Sequence, residues 1–298
     1  MVGKKLKSVA HELNLYLKAD RIVSVYPDIK AKNNRVNLFE YHPDRFGYYL
    51  YNGVGYNLGD ALGAIIVEWM LAKRGLMIDQ EVKGRKHLNC VGTNIFSSYQ
   101  NATVWGAGGA MRELRNSTAK VLNTYPFRRL DVRAVRGPMT RELLLKYGQK
   151  CPEVYGDPAI LMPLIYQPET KKKINEFLII PQFMGEKEIR EKYPVYPMES
   201  MNTNDYKRVV DAIVHSKKVI TSSLHGIVLA ETYGVPAVFF KTLKGDFKFR
   251  DYYSSTGRYD IKFAESLDEA FEMEPLPLPD FSALQQGLLG SFPYDLWE

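Results

Sequence analysis

Cysteine is scarce: only Cys90 and Cys151 occur in 298 residues, with no CxxC pair and no Cys/His cluster. This argues against a disulfide scaffold and a structural zinc site. Long apolar runs are missing as well, and nothing approaches the roughly 18 residues needed to cross a bilayer. The N-terminus, MVGKKLKSVAHELNLYLKAD, is basic and lacks the apolar segment of a signal peptide. A cytoplasmic protein is therefore expected, and the Asn101 and Asn116 glycosylation patterns are chance matches. Excess charge is also modest. Forty basic against 34 acidic residues leave +6, which favours anionic ligands but not the footprint of a nucleic-acid binder.

What is present is a soluble-globular composition, 45% hydrophobic and 25% charged, with 20 tyrosines suited to aromatic-walled clefts. Residues 1–20 can form an amphipathic helix with lysines on its polar face, either packed on the fold or resting on a membrane surface. VNLFEYH, HLNCVGT, ATVWGAGGA and RLDVRAVRG read as short strands. ALGAIIVEWMLAKRG and PMTRELLLKYG read as helices ending in glycine, while EVYGDPAILMP reads as strand and loop. A polar, basic stretch, QPETKKKIN, then divides the chain. EFLIIPQF, KVITSS and VPAVFF follow as strands, separated by a Pro/Gly loop, a helix capped by Asn204 or Asp205, and the helix HGIVLAETYG. The alternation implies parallel βαβ units in two similar α/β halves, residues 1–166 and 167–298, with a cleft between them and ligand sites at the carboxyl ends of strands.

Five histidines occur in all, and one stands at such a turn, in TSSLHG. There His225 meets the unpaired N–H groups and positive dipole end of a helix, beside the hydroxyls of Ser222 and Ser223, with Leu224 next to it and Gly226 leaving room for a ligand. A histidine so placed can bind an anion or exchange protons near neutral pH; the plainer alternative is a local helix cap. In GYNLGD, Asn57 and Gly59 suit a tight turn and Asp60 a helix cap. Gly108 and Gly109 of WGAGGA form a glycine turn short of a dinucleotide fingerprint, with Arg112 and Arg115 just beyond it. Arg133 and Arg136 lie near a strand's end, where guanidinium groups can grip phosphate or carboxylate, although surface salt bridges are the usual role. Asp157 of GDPA can orient a loop or accept a sugar hydroxyl. FKFRDYYSSTGR gathers Lys248, Asp251, Tyr252 and Arg258 into one polar, aromatic loop, which suits a carbohydrate with an anionic neighbour, or a solvated edge.

Taken in order, the NxGD, GxGG, RGP, GDPA, SSLHG-GVP and KFRDYY stretches resemble the polysaccharide pyruvyl transferase family over roughly residues 48–260. The resemblance implies two Rossmann-like domains with a central cleft, GT-B-like. It also implies transfer of pyruvate from phosphoenolpyruvate to two hydroxyls of a hexose-containing glycan, lipid-linked or free, as a cyclic ketal. Many members carry an arginine where this chain has Ser223, and Pro-His where it has Pro181-Gln182. The donor's charge must then meet another cation.

On this reading His225 is the acid and Arg136 the main anion ligand. Arg133, Lys248 and Arg258 assist, and Asp60, Asp157 or Asp251 is the base. No metal or cofactor is expected, and the only membrane contact is peripheral, at the inner face. The rivals are a nucleotide-sugar glycosyltransferase of GT-B plan and a non-catalytic glycan-binding relative.

Overall fold

A computed structural model describes residues 33–38, 57–95, 102–109, 130–182, 185–242 and 245–298. The amphipathic stretch 1–20, Phe39–His42, Asn101, Arg112, Arg115 and Asn116 lie outside the described residues.

Strands β1 (Val36–Leu38), β2 (Lys86–Asn89), β3 (Thr103–Trp105) and β4 (Asp131–Ala134) form one parallel sheet in that order. With them come helices α1 (Leu58–Ala72) and α2 (Pro138–Lys146). A second parallel sheet contains β5 (Asn175–Ile180), β6 (Ser216–Thr221) and β7 (Ala237–Phe239), again in sequence order. Helices α3 (Glu186–Lys192), α4 (Tyr206–Val214), α5 (Leu224–Thr232), α6 (Phe247–Ser255) and α7 (Leu267–Glu272) are interspersed with its strands or follow them, and α8 (Ser282–Ser291) packs back against β4 of the first sheet. The strands are short and mostly buried toward their carboxyl ends, with Lys86, Asp131 and Lys217 at or near their starts. A mixed α/β chain with parallel sheets is what the alternation predicts.

Four local expectations change. Asn57, not Asp60, caps α1: its side chain accepts the Gly59 N–H, and Asp60 becomes the third helical residue. The segment after Asp157 is a 3-10 helix, Pro158–Leu164, started by one proline and kept from α geometry by another, Pro163. The Pro/Gly loop after β5 contains α3. FKFRDYYSS is helical, with Asp251 and Tyr252 turned inward to buried partners instead of presented from a loop.

Among the described residues, the largest buried apolar cluster draws side chains from Val36 through to Trp297, with two smaller clusters beside it. The 3-10 segment lies at its middle, packed against α1 from the first half and α5 from the second. The chain's end returns to the first sheet. Trp105 donates its indole N–H to Leu288 O at 3.1 Å, and the Tyr294 hydroxyl donates to Met70 O at 3.0 Å. Among the described residues, no helix is long and apolar enough to cross a membrane.

Candidate functional site

The turn from β6 into α5 is fastened from below. The Thr221 hydroxyl donates to Ile180 O at 2.6 Å and accepts the Ser223 N–H at 2.9 Å. Ser222 is buried, its oxygen accepting the Gln182 N–H at 2.7 Å. Gly226 serves packing: a Cβ there would overlap the Thr221 hydroxyl. Leu224 points into the core. Ser223 stands at the N-cap without a side-chain cap bond and is half-buried. The open end of α5 thus keeps the unpaired N–H groups that favour an anion.

His225 occupies the second position of α5, with 11% of its side chain exposed. Its Nε2 lies 3.6 Å from Asp157 Oδ2. Asp157 itself is fully buried, and its other oxygen, Oδ1, accepts the Ala159 N–H at 3.0 Å to cap the 3-10 segment. Nε2 and Oδ2 are both buried and have no hydrogen-bond partner. Across the ring lies the first turn of α1, where a Cβ on Gly59 would overlap His225 Nδ1. In that turn Asn57 also donates to Asp60 Oδ2 at 2.7 Å. The N-termini of α1 and α5 therefore meet at one imidazole, and their dipoles add a positive field there.

The cations divide sharply. Arg136 is fully buried: Nε donates to Asp251 Oδ2 at 3.1 Å, one terminal nitrogen to Thr93 Oγ1 at 3.1 Å, and the other to Gly109 O at 2.9 Å. Asp251 is equally buried and also accepts the Thr140 N–H at 2.9 Å and the Thr140 hydroxyl at 2.6 Å. Gly108 makes room for the guanidinium, and the Gly109 N–H donates to Thr140 Oγ1 at 3.0 Å. Arg136 and Asp251, expected to hold donor and acceptor, instead hold each other.

Arg133 is ion-paired to Asp131 and Asp295, which push its pKa up. Arg258 grips Glu231 through two 2.7 Å bonds, and the buried Tyr252 hydroxyl donates to the same carboxylate at 2.7 Å. Neither arginine is brought to His225 by any described contact, and Tyr252 faces inward. Lys248 differs. Among the described residues no carboxylate lies within ion-pair distance of it, and it feels both Arg136 and Asp60. Its surface is only half covered, yet the protein around it is dense enough that desolvation is the largest cause lowering its pKa to about 8, with the neighbouring Arg136 charge second and Asp60 opposing.

Of the predicted carboxylates, Asp60 alone is half-buried and Asp157 and Asp251 are sealed. The structure thus assembles His225, Asp157, Gly59, Asp60 and Lys248 in one neighbourhood. Sequence reasoning misses Thr140 and Glu231, of which only Thr140 has a signal, since it lies within RGPMT beside a helix start; Gln182 stands out there only as a departure from Pro-His. Among the described residues, no group of three His, Cys, Asp or Glu side chains could hold a metal.

The family model for polysaccharide pyruvyl transferases matches residues 112–242. An uncharacterised protein of Acanthamoeba polyphaga mimivirus is 24% identical over 214 residues, which is 67% of this chain and 71% of that one. A solved structure of an uncharacterised Klebsiella pneumoniae protein is 12% identical, with a TM-score of 0.46 over 70% of this chain and 89% of that one.

Proposed function

We propose, from the match of residues 112–242 to the polysaccharide pyruvyl transferases, that this protein moves pyruvate from phosphoenolpyruvate to a hexose of a glycan as a cyclic ketal. The observation that carries the reading is the seat of His225: one imidazole between a buried carboxylate and the converging N-termini of α1 and α5, with Lys248 nearby. Phosphoenolpyruvate carries about three negative charges on a small frame and calls for such a field. Lys248 takes the anion-holding role expected of Arg136, whose guanidinium is committed to Asp251. The acceptor approaches between two Rossmann-like, GT-B-like lobes, divided near residue 167, at the cytoplasmic face of the membrane.

The protonated His225 ring gives its proton to the enol methylene. The cationic carbon that results is attacked by the first sugar hydroxyl, the C–O bond to phosphate breaks, and the second hydroxyl closes the ring. Asp60, the half-buried carboxylate of the three, accepts the proton of the first attacking hydroxyl and passes it to the departing phosphate, while the proton of the second hydroxyl returns to the imidazole.

Incubation with phosphoenolpyruvate and a panel of hexosides, followed by mass spectrometry, tests the proposal. The expected result is a pyruvate ketal whose formation falls at least about a hundredfold in His225→Ala. Thermal stabilisation by nucleotide sugars and not by phosphoenolpyruvate would point to a glycosyltransferase instead, and stabilisation by glycans alone to a binding protein.

A further inference from the structure

We infer that Asp157 is a positioning residue, its Oδ2 holding a proton on His225 Nε2 so that Nδ1 is the nitrogen exchanging protons with substrate. The inference rests on the proton-donor role proposed for His225 and gives Asp157 a task other than that of base. Asp157 is fully buried, so no sugar hydroxyl can reach it. Its orientation is set, because Oδ1 already accepts the Ala159 N–H. The remaining oxygen and Nε2 face each other at 3.6 Å, both buried and both without another partner. A carboxylate oxygen facing a bare nitrogen lone pair leaves two buried acceptors unsatisfied, whereas an N–H between them satisfies both. Closing the gap by about 0.6 Å makes an ordinary hydrogen bond, and such bonds tighten when substrate binds. With Nε2 sealed, only Nδ1 is left for the chemistry; it is not among the buried unpartnered atoms, and the missing Cβ of Gly59 lets the first turn of α1 come close beside it. A buried carboxylate that accepts one imidazole N–H and so fixes the tautomer is a common device.

Asp157→Asn separates this role from a purely structural one. The asparagine oxygen still caps Ala159, while its amide turns a donor toward Nε2. In protein with ¹⁵N-labelled histidine, long-range ¹H–¹⁵N correlation spectra distinguish the two tautomers, and His225→Gln identifies the His225 signals among the five histidines. The wild-type neutral ring is expected to carry its proton on Nε2, and the Asp157→Asn ring on Nδ1. Turnover with phosphoenolpyruvate should fall roughly a hundredfold with a donor KM changed less than about threefold. A wild-type proton on Nδ1, or the same tautomer in both proteins, overturns the inference. The spectra need no substrate, so absent phosphoenolpyruvate turnover in the wild type sinks the proposed function while the tautomers still decide this point. Should the variant not fold, the wild-type spectrum decides alone.

Discussion

Glycine at position 59 lies inside the first turn of α1, where alanine would favour the helix by about 1 kcal/mol. What forbids the methyl is the His225 ring on the other half of the chain. Gly59→Ala should therefore leave the helix formed yet lower turnover at least about tenfold by displacing the imidazole; near-wild-type kinetics would show that the ring tolerates the shift. Both residues stand out in the sequence, one in a turn and the other at a helix start. That they touch cannot be read from either motif.

For Lys248, stability and the proposed anion-holding role conflict at the same scale. Its folded pKa, about 8, is below the unfolded 10.5, so the fold disfavours its charged form. The cost is fully present below pH 8 and is relieved as pH rises toward 10.5, because there the unfolded chain holds the extra proton. Lys248→Met should accordingly raise the melting temperature at pH 7 by a few degrees while abolishing phosphoenolpyruvate stabilisation in thermal-shift measurements. In the wild type, donor affinity should weaken as pH rises through about 8, since the neutral amine no longer attracts the anion. A flat affinity from pH 7 to 9.5 would remove Lys248 from the site.

At the scale of elements, α2 has a glycine N-cap and no cap bond of its own. The cap arrives from α6, through Asp251 and its bonds to Thr140. Gly137 permits this because a Cβ there would overlap the Asp251 carbonyl oxygen. RGPMT and KFRDYY are thus two sides of one clasp: the arginine pairs with the aspartate, the glycine admits it, and the threonine receives it. Asp251→Ala strands a buried guanidinium and uncaps a helix, and should cost about 3–5 kcal/mol in denaturant unfolding. The double change Arg136→Met with Asp251→Leu should recover most of that loss; a double variant as unstable as the single would mean the charge is not what matters. The sequence reading sees charged, aromatic residues and assigns them to a ligand. Helical spacing in FKFRDYYSS is weak because its buried face mixes Asp251 and Ser254 with Phe249, Tyr252 and Tyr253, so burial alone reveals it.

For the whole molecule, the last residues close the first sheet although they follow the second. Trp297 is 4% exposed, stacks on Phe292 and donates to Ile78 O at 3.4 Å. Trp297→Ala should lower the melting temperature by roughly 10 °C, in keeping with a large aromatic deleted from a core. A shift of one or two degrees would show that the tail is merely draped on the surface. The return path is invisible in a proline-rich tail, since its partners lie some two hundred residues upstream.

The alternation of apolar runs, glycines and caps was enough to specify parallel α/β architecture, most element positions, and the histidine at the start of α5, because these follow from interactions between near neighbours in the chain. Which carboxylate faces that histidine, which arginines are locked into ion pairs, and which lysine keeps no carboxylate partner among the described residues were settled only by packing. Burial and pairing depend on what distant segments bring to the same place, and residue type alone carries no record of that.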